Sequence, residues 1–367
     1  MAIRRLLLLA PARMPQVLEW ARVLSQQVQT CELATFHPPR SQNIDTSLTM
    51  LQGWNGSRVL RPFRLVRSLK DILYHGRFDM ILAYYLTSYG VLAAQSAPGR
   101  YVAVAAGSDI FPRRLAWIRE RAASRALVRA MGGIAWTATM AQRMIDLGMS
   151  SEHLSVGPRG LDLEIFRPAS EPPRSIRTLK VISTRRLRPI FRLDRLIAAI
   201  ARLVQSGRPI ELTLIGEGSE RRKLEAMVSR LGLREHVSFL GNLQHRTIAA
   251  RLQEADVLVS LSLADGLSTS VLEAMACGLF PIVSDIAANR NIVSHGVNGL
   301  LVSGEDPEEI EQALTRVLTS PDLRRSARER NIALSRRLFD IRKNTQKMLS
   351  SVERWMQDSQ HVALANP

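Results

Sequence analysis

The sequence predicts an α/β protein built from two parallel-sheet domains. Three observations carry that expectation. Short, continuously apolar runs alternate with helix-patterned stretches from end to end. The alternation is interrupted near the middle by a proline-crowded segment. The length, 367 residues, is enough for two cores of ordinary size. Strands joined through helices pair in parallel and are covered on both faces, so their runs are unbroken rather than alternately polar.

In the first half, the runs at 6–10, 31–36, 79–83, 101–106 and 133–138 are expected as strands; in the second, those at 179–183, 211–215, 237–240, 256–261, 281–284 and 299–302. Prolines 168, 172 and 173 break both periodicities, which places domain boundaries at 1–168 and 169–340. The segment after Pro321 is basic and helical in pattern, and 341–367 is expected as a C-terminal helix. Two such sheets imply a crevice, since open α/β sheets take ligands outside the carboxyl ends of their strands.

Charge and cysteine content bound the function. The formal net charge is +17, from 50 basic residues, 45 of them Arg, against 33 acidic ones. Such a surface suits an anionic partner, either phosphorylated substrate, anionic lipid or nucleic acid. No helix-turn-helix, RNP-like or zinc pattern supports nucleic acid, which is therefore not expected as a partner. Cys31 and Cys277 are far apart in apolar runs, against a disulfide framework and in favour of a cytoplasmic setting. Arg4 and Arg5 precede an apolar run too short for a signal sequence or a membrane span. The stretch 113–131 interleaves arginines with Leu115, Trp117, Ile118 and Leu127, a composition that suits the surface of an anionic membrane as well as an ordinary sheet-covering helix.

The most informative stretch runs from Ser262 to Asp285. A buried strand feeds a polar turn, Asp265, Gly266, Leu267, Ser268, Thr269 and Ser270, which opens a helix over 271–277; Gly278 stops it and a second strand follows. Amides in the first turn of that helix make an anion site. Asp265 on the loop and Glu273 inside the helix bring two carboxylates towards one pocket. Four further elements lie at strand ends: Arg185 and Arg186 after 179–183; Gly216 and Gly218 after 211–215; Asn242 and Leu243 after 237–240; and Asp109, after Ala106-Gly107-Ser108, with an alternative reading as a helix cap. Tyr84 and Tyr85 end another first-half strand. The seven histidines show no metal spacing, and no nucleophile elbow is present.

Together these motifs resemble the GT-B nucleotide-sugar glycosyltransferases, family 4 (group 1) in particular, strongly over 160–306 and weakly before it. The resemblance implies two Rossmann-like domains facing each other across a cleft, with the last helix crossing back to the first domain. It implies a retaining, metal-independent transfer of a sugar from a nucleoside diphosphate sugar to a glycan or lipid-linked acceptor, in cell-surface polysaccharide or glycolipid biosynthesis. No cofactor or metal is expected. Residue by residue, it implies that Asp265, where the family has Glu, touches the donor sugar, that Glu273 holds the ribose and that Arg186 binds the diphosphate. Gly216, Gly218, Asn242, Leu243, Gly266, Leu267, Ser268 and Thr269 would line the nucleotide. Asp109 would face the donor across the crevice as a catalytic residue, and Tyr84 and Tyr85 would contact the acceptor. At the family's Lys position stands Phe191, leaving Arg185, Arg188 or Arg192 to supply the missing charge. The basic stretch 113–131, lying on an anionic membrane, would bring the chain to a lipid-linked acceptor as a peripheral protein on the inner face of the membrane. Two alternatives stay open: another GT-B activity, such as nucleotide-sugar epimerisation, and a non-catalytic basic module binding nucleic acid or membrane.

Overall fold

A computed structural model describes residues 2–38, 47–52, 60–107, 109–111, 116–169, 178–265 and 268–365. The chain divides into two compact units, one of Met1–Arg159 with Ile341–Pro367, the other of Gly160–Asp340. The division falls ahead of residue 168, because Leu161 and Phe166 are buried in the second unit's core and the Leu161 amide donates to the Phe339 carbonyl. The proline-rich stretch that suggested the boundary lies, from 170 to 177, outside the described residues.

The first unit holds a seven-stranded parallel sheet. Its strands are β1 (Arg5–Leu9), β2 (Thr30–Thr35), β3 (Ser47–Met50), β4 (Met80–Tyr84), β5 (Tyr101–Val104), β6 (Gly132–Ala135) and β7 (Leu154–Val156), in the order β3-β2-β1-β4-β5-β6-β7. All the pairings are parallel. Its helices are α1 (Pro15–Ser25), α2 (Arg61–Gly76), α3 (Val91–Ser96), α4 (Ala116–Val128) and α5 (Ala138–Asp146), with one π-helical turn, Leu86–Gly90. Strand alternation sends Leu7 and Leu9 to one face, where α2 contributes Leu65 and Leu69 and α4 contributes Ala123 and Leu127. Leu6 and Leu8 point to the other, against Trp20 of α1 and Met348, Val352 and Trp355 of the C-terminal helix, Ile341–Ala365. Trp20 ties the two helices on that face together by donating from Nε1 to Thr345 Oγ1 at 3.2 Å. Gly132 permits the contact, since a Cβ there would meet the Trp355 ring at 2.4 Å.

The second unit holds a six-stranded sheet with strands β8 (Leu179–Ser183), β9 (Ile210–Ile215), β10 (Val237–Gly241), β11 (Val257–Ser260), β12 (Phe280–Ser284) and β13 (Leu300–Val302), in the order β10-β9-β8-β11-β12-β13. Helices α6 (Leu193–Gln205), α7 (Arg221–Arg230), α8 (His245–Glu254), α9 (Thr269–Cys277), α10 (Ala287–Arg290), α11 (Pro307–Thr319) and α12 (Pro321–Leu338) flank it. One face buries Val181, Leu212, Val259 and Ile282 beneath α6 and α11; the other buries Ile182, Leu258 and Val283 beneath α9. Both topologies reverse direction beside their first strand, β1 or β8, and the carboxyl ends at that switch carry the polar side chains described next.

Candidate functional site

In the second unit, the loops after β8, β9, β11 and β12 meet the N-terminus of α9. The side chain that joins them is Arg185, immediately before the residue matched from sequence. Its guanidinium donates to Ser268 Oγ at 2.9 Å and to Ser262 Oγ at 2.8 Å, and pairs with the carboxylate of Asp265. It lies 4.3 Å from the centroid of the Phe191 ring. Phe191 therefore carries no charge to the site but holds the planar face of a neighbouring Arg, by cation–π attraction. Arg186 is exposed. Of the two adjacent arginines, Arg185 is the one whose guanidinium is tied to Ser262, Asp265 and Ser268. Arg192 has φ of 48° and donates to the Leu261 carbonyl at 3.1 Å, which fixes the loop after β11.

Gly216 and Gly218 fit a neighbouring backbone. A Cβ on Gly218 would meet the Leu187 carbonyl oxygen at 2.1 Å, and one on Gly216 the Arg185 carbonyl oxygen at 2.6 Å. With those side chains absent, the Leu187 amide donates to the Glu217 carbonyl and the Glu220 amide to the Leu187 carbonyl. The glycines thus position the Arg185 loop, the close approach that a small-residue turn allows.

Helix α9 begins at Ser268, which is buried and makes no side-chain cap, because its hydroxyl accepts from Arg185 instead. The Val271 and Leu272 amides donate to the Ser268 carbonyl at 3.1 Å, and the positive end of the helix dipole at this terminus favours an anion. One turn on, Glu273 is 7% exposed among apolar neighbours. A buried Glu in a helix otherwise closed over by Val271, Leu272 and Met275 is the residue type that holds hydroxyls rather than solvent. Thr269 is exposed at the helix start, and Ser270 Oγ reaches the Thr184 carbonyl at 3.4 Å. Gly266 and Leu267 lie outside the described residues. Beneath, Ser284 Oγ donates to the Ser262 carbonyl at 2.6 Å and Asn289 Nδ2 to the Ser284 carbonyl at 2.7 Å. Arg185 Nε and the hydroxyls of Ser183 and Thr184 are buried without a hydrogen-bond partner among the described residues, a concentration of uncommitted polar atoms at the end of β8. Asn242 is exposed, and Leu243 packs against the core under α9.

In the first unit, Asp109 is 1% exposed, and its carboxylate is taken up by amides of two loops. One carboxylate oxygen accepts from the Leu86 amide at 2.8 Å, and both accept from the Ala106 amide, at 3.0 and 3.2 Å. It clamps the π-helical turn after β4 onto the loop after β5. Burial raises its pKa while those amides oppose the rise. Tyr84 is also buried, against Trp20, which pushes its phenol up to about 12 and removes it from an exposed acceptor surface. Tyr85 is partly buried and has φ of 83°, a backbone conformation rare for a residue with a Cβ. Among the described residues, no group of three or more His, Cys, Asp or Glu is placed to hold a metal ion. Arg185 is one of three arginines expected to compensate for Phe191; two features escaped the sequence reading, the stacking of the Phe191 ring on Arg185 and a Thr35–Tyr89–His37 hydrogen-bond chain beside β1. Only the periodicity of β2 could have marked the last, by placing Thr35 on a buried face.

Comparison with known proteins fits this geometry. Residues 172–333 match the family described as glycosyl transferases group 1, and residues 5–131 match the family described as glycosyl transferase 4-like. The chain is 28% identical over 207 residues to a D-inositol 3-phosphate glycosyltransferase of Thermobispora bispora, covering 52% of this chain and 48% of that protein. It is 31% identical over 191 residues to an MMP α-(1→4)-mannosyltransferase of Mycolicibacterium hassiacum, covering 52% and 46%. The matches thus span about half the length of these curated relatives. Among solved structures, the Anabaena protein Alr3699/HepE in complex with UDP aligns with a TM-score of 0.77 at 19% identity, over 95% of this chain and 100% of that one. A sucrose-phosphate synthase of Thermosynechococcus elongatus aligns with a TM-score of 0.79 at 19% identity, over 97% and 100%. At such identities the likeness establishes the fold, which is that of the GT-B glycosyltransferases.

Proposed function

We propose that this chain, whose residues 172–333 match the group 1 glycosyl transferases and 5–131 the glycosyl transferase 4-like family, moves a sugar from a nucleoside diphosphate sugar to a glycan or lipid-linked acceptor, with retention and without a metal. The observation that carries the reading is the Arg185 cluster at the N-terminus of α9, one turn before the buried Glu273. In this reading Glu273 accepts from the ribose hydroxyls and Asp265, steadied by Arg185, meets the donor sugar. The α9 amides and Arg185 face the diphosphate. The anomeric C–O bond to the diphosphate breaks as a bond to the acceptor hydroxyl oxygen forms. The acceptor's proton passes to a phosphate oxygen of the leaving group, and the nucleoside diphosphate departs. Negative charge builds on that leaving group, and preorganised donors there are the main source of rate. Arg suits the task because its planar fork offers two parallel N–H bonds to phosphate.

Uridine nucleotides are the first donors to try, because Alr3699/HepE was crystallised with UDP and with UDP-glucose. On the acceptor side, no described helix is long and apolar enough to cross a membrane. Association with an anionic surface on the cytoplasmic side is supported by α4, where Trp117 and Val128 are exposed and Arg121 lies against the Trp117 ring. Arg113, Arg114 and Leu115 of the basic stretch lie outside the described residues. Incubation with UDP-, GDP- and ADP-sugars, with and without EDTA, tests the proposal: release of nucleoside diphosphate dependent on an acceptor supports it. Conversion of the free nucleotide sugar without acceptor points instead to an epimerase.

A further inference from the structure

We propose that the outer face of α2 is a docking track for an anionic glycan chain, held by the rings of Phe63 and Tyr74 and by the cations of Arg67 and Lys70 between them. That the chain is a glycan rests on the transferase reading; the track itself is built within the first unit alone.

Helix α2 has two distinct sides. On one, Leu65 and Leu69 are buried in the core, and Val66, Ile72 and Leu73 pack against it. That side fixes the helix to the sheet. On the other, Phe63, Arg67, Lys70 and Tyr74 follow one another at spacings of four, three and four residues. In an α-helix that pattern draws a single stripe about 60° wide, turned away from Leu65 and Ile72. All four side chains are exposed. Phe63 and Tyr74 are 74% and 81% exposed, the two highest values among the large hydrophobic side chains of the described residues. One exposed apolar side chain needs no explanation, but the two most exposed rings standing on one stripe of one helix form a surface.

Charge follows the same stripe. Helix α2 carries Arg61, Arg64, Arg67 and Lys70 against a single acid, Asp71, and Arg77 follows at its C-cap. Among the described residues Arg67 and Lys70 enter no ion pair, so no described carboxylate neutralises them. A surface of this kind attracts a polyanion.

The spacing suits a polymer. From Phe63 to Tyr74 the helix rises about 16.5 Å, longer than one sugar and suited to a short run of them. Each ring offers an apolar face on which a sugar can lie, and Arg67 and Lys70 meet the carboxylates of the units between. Single-stranded nucleic acid is held by the same combination, base on ring and phosphate on cation, and is the competing occupant. A membrane fits less well. On an interfacial helix the cations flank the apolar face, whereas here they interrupt it, and sinking both rings into lipid would drag Arg67 and Lys70 with them.

Direction gives the track its use. Helix α2 joins β3 to β4, two parallel strands of one sheet, and so runs antiparallel to them. Phe63 therefore stands towards the carboxyl ends of the strands, where sheets of this kind take ligands, and Tyr74 stands towards the opposite end. In the transferase reading the stripe starts where the acceptor is handled and leads away from it.

Fluorescence polarisation of labelled alginate oligosaccharides, which carry carboxylates, with the full-length protein at about 0.15 M salt tests this. Wild type should bind alginate at least about tenfold more tightly than neutral dextran oligosaccharides of the same length. Phe63→Ser with Tyr74→Ser, which leaves every charge in place, should weaken alginate binding at least about tenfold, as should Arg67→Gln with Lys70→Gln. Arg336→Gln with Arg337→Gln removes two exposed charges from α12 and should change it less than about twofold. Equal loss in the α12 variant, or no loss in the ring variant, would overturn the track and leave only the attraction of a basic protein for any polyanion. Tighter binding of an oligothymidylate or of anionic vesicles than of alginate would overturn the glycan assignment. Nucleotide-sugar protection of the same samples against thermal unfolding reports the second unit. Its absence, with alginate binding and the variants as expected, counts against the transferase reading and leaves the track standing.

Discussion

Arg185→Ala should reduce kcat by roughly two to three orders of magnitude, the cost of removing one preorganised donor at a developing negative charge, about 2.7–4 kcal/mol. The structure distinguishes that loss from a general weakening of the fold. The Arg185–Asp265 pair is partly open to solvent, with side chains 10% and 23% exposed, so breaking it costs stability of only about 1 kcal/mol or less. The two serine bonds, at 2.8 and 2.9 Å, add a similar modest amount because their hydroxyls can turn to water or to each other's loops. A rate loss of a hundredfold or more in a protein whose Tm has moved only a few degrees therefore belongs to the chemistry. Phe191→Ala removes the ring 4.3 Å below the guanidinium and should cost about 0.5–1 kcal/mol, or roughly two- to fivefold. Arg185→Lys keeps the charge without the fork and should fall between. The assay is the initial rate of nucleoside diphosphate release at saturating donor and acceptor, in EDTA and again in excess Mg²⁺. If Arg185→Ala keeps wild-type rates while Arg186→Ala collapses, the residue facing the diphosphate is Arg186 and the assignment to Arg185 fails.

Glu273→Ala should weaken donor binding by about 10- to 100-fold, the range for losing hydrogen bonds to a charged group, and nearly abolish transfer; calorimetric titration with the donor nucleotide checks it. Gly218→Ala drives a methyl group against the Leu187 carbonyl, and should lower stability by about 1–3 kcal/mol in urea unfolding and lower donor affinity with it. The His37 pKa is lowered on folding, so the unfolded chain binds the extra proton more tightly. That group's contribution is present above pH 6.5 and is lost as pH falls from 6.5 towards the folded midpoint; His37→Gln should flatten this part of the stability profile. Flotation with anionic vesicles should recover the protein, and Trp117→Ser with Arg121→Ser should reduce the recovery severalfold; equal, negligible binding to anionic and neutral vesicles removes the membrane proposal.

All six apolar runs of the second half form strands, because a buried parallel strand must be apolar on both faces. The two strands that periodicity missed are β3 and β7, the sheet's edges. Ser47–Met50 is exposed or half-buried throughout, and Leu154–Val156 is three residues long, so neither needs an apolar run. The location of the site at the α9 N-terminus was legible in Asp265, Glu273 and the stop at Gly278. Which of two adjacent arginines enters it was not. That choice depends on the Phe191 ring and on Gly216 and Gly218 holding the loop, contacts between residues up to 31 positions apart. The anchoring of Asp109 was hidden for a similar reason: its amide partners include Leu86, 23 residues earlier. The Thr35–Tyr89–His37 chain joins β2 to the turn after β4, and no spacing in the sequence announces it.

The most direct test of the central claim, that the second unit binds a nucleoside diphosphate sugar at α9, is thermal unfolding across a panel of UDP-, GDP- and ADP-sugars with wild-type and Glu273→Ala protein. A donor at 100 times its dissociation constant should stabilise the native protein by about 2.7 kcal/mol, moving the transition by roughly 5–10 °C for a unit of this size. The account predicts that shift for one nucleotide class in the wild type and its near absence in Glu273→Ala at the same concentration. Equal protection of both proteins, or none by any nucleotide sugar at millimolar concentration, would contradict it.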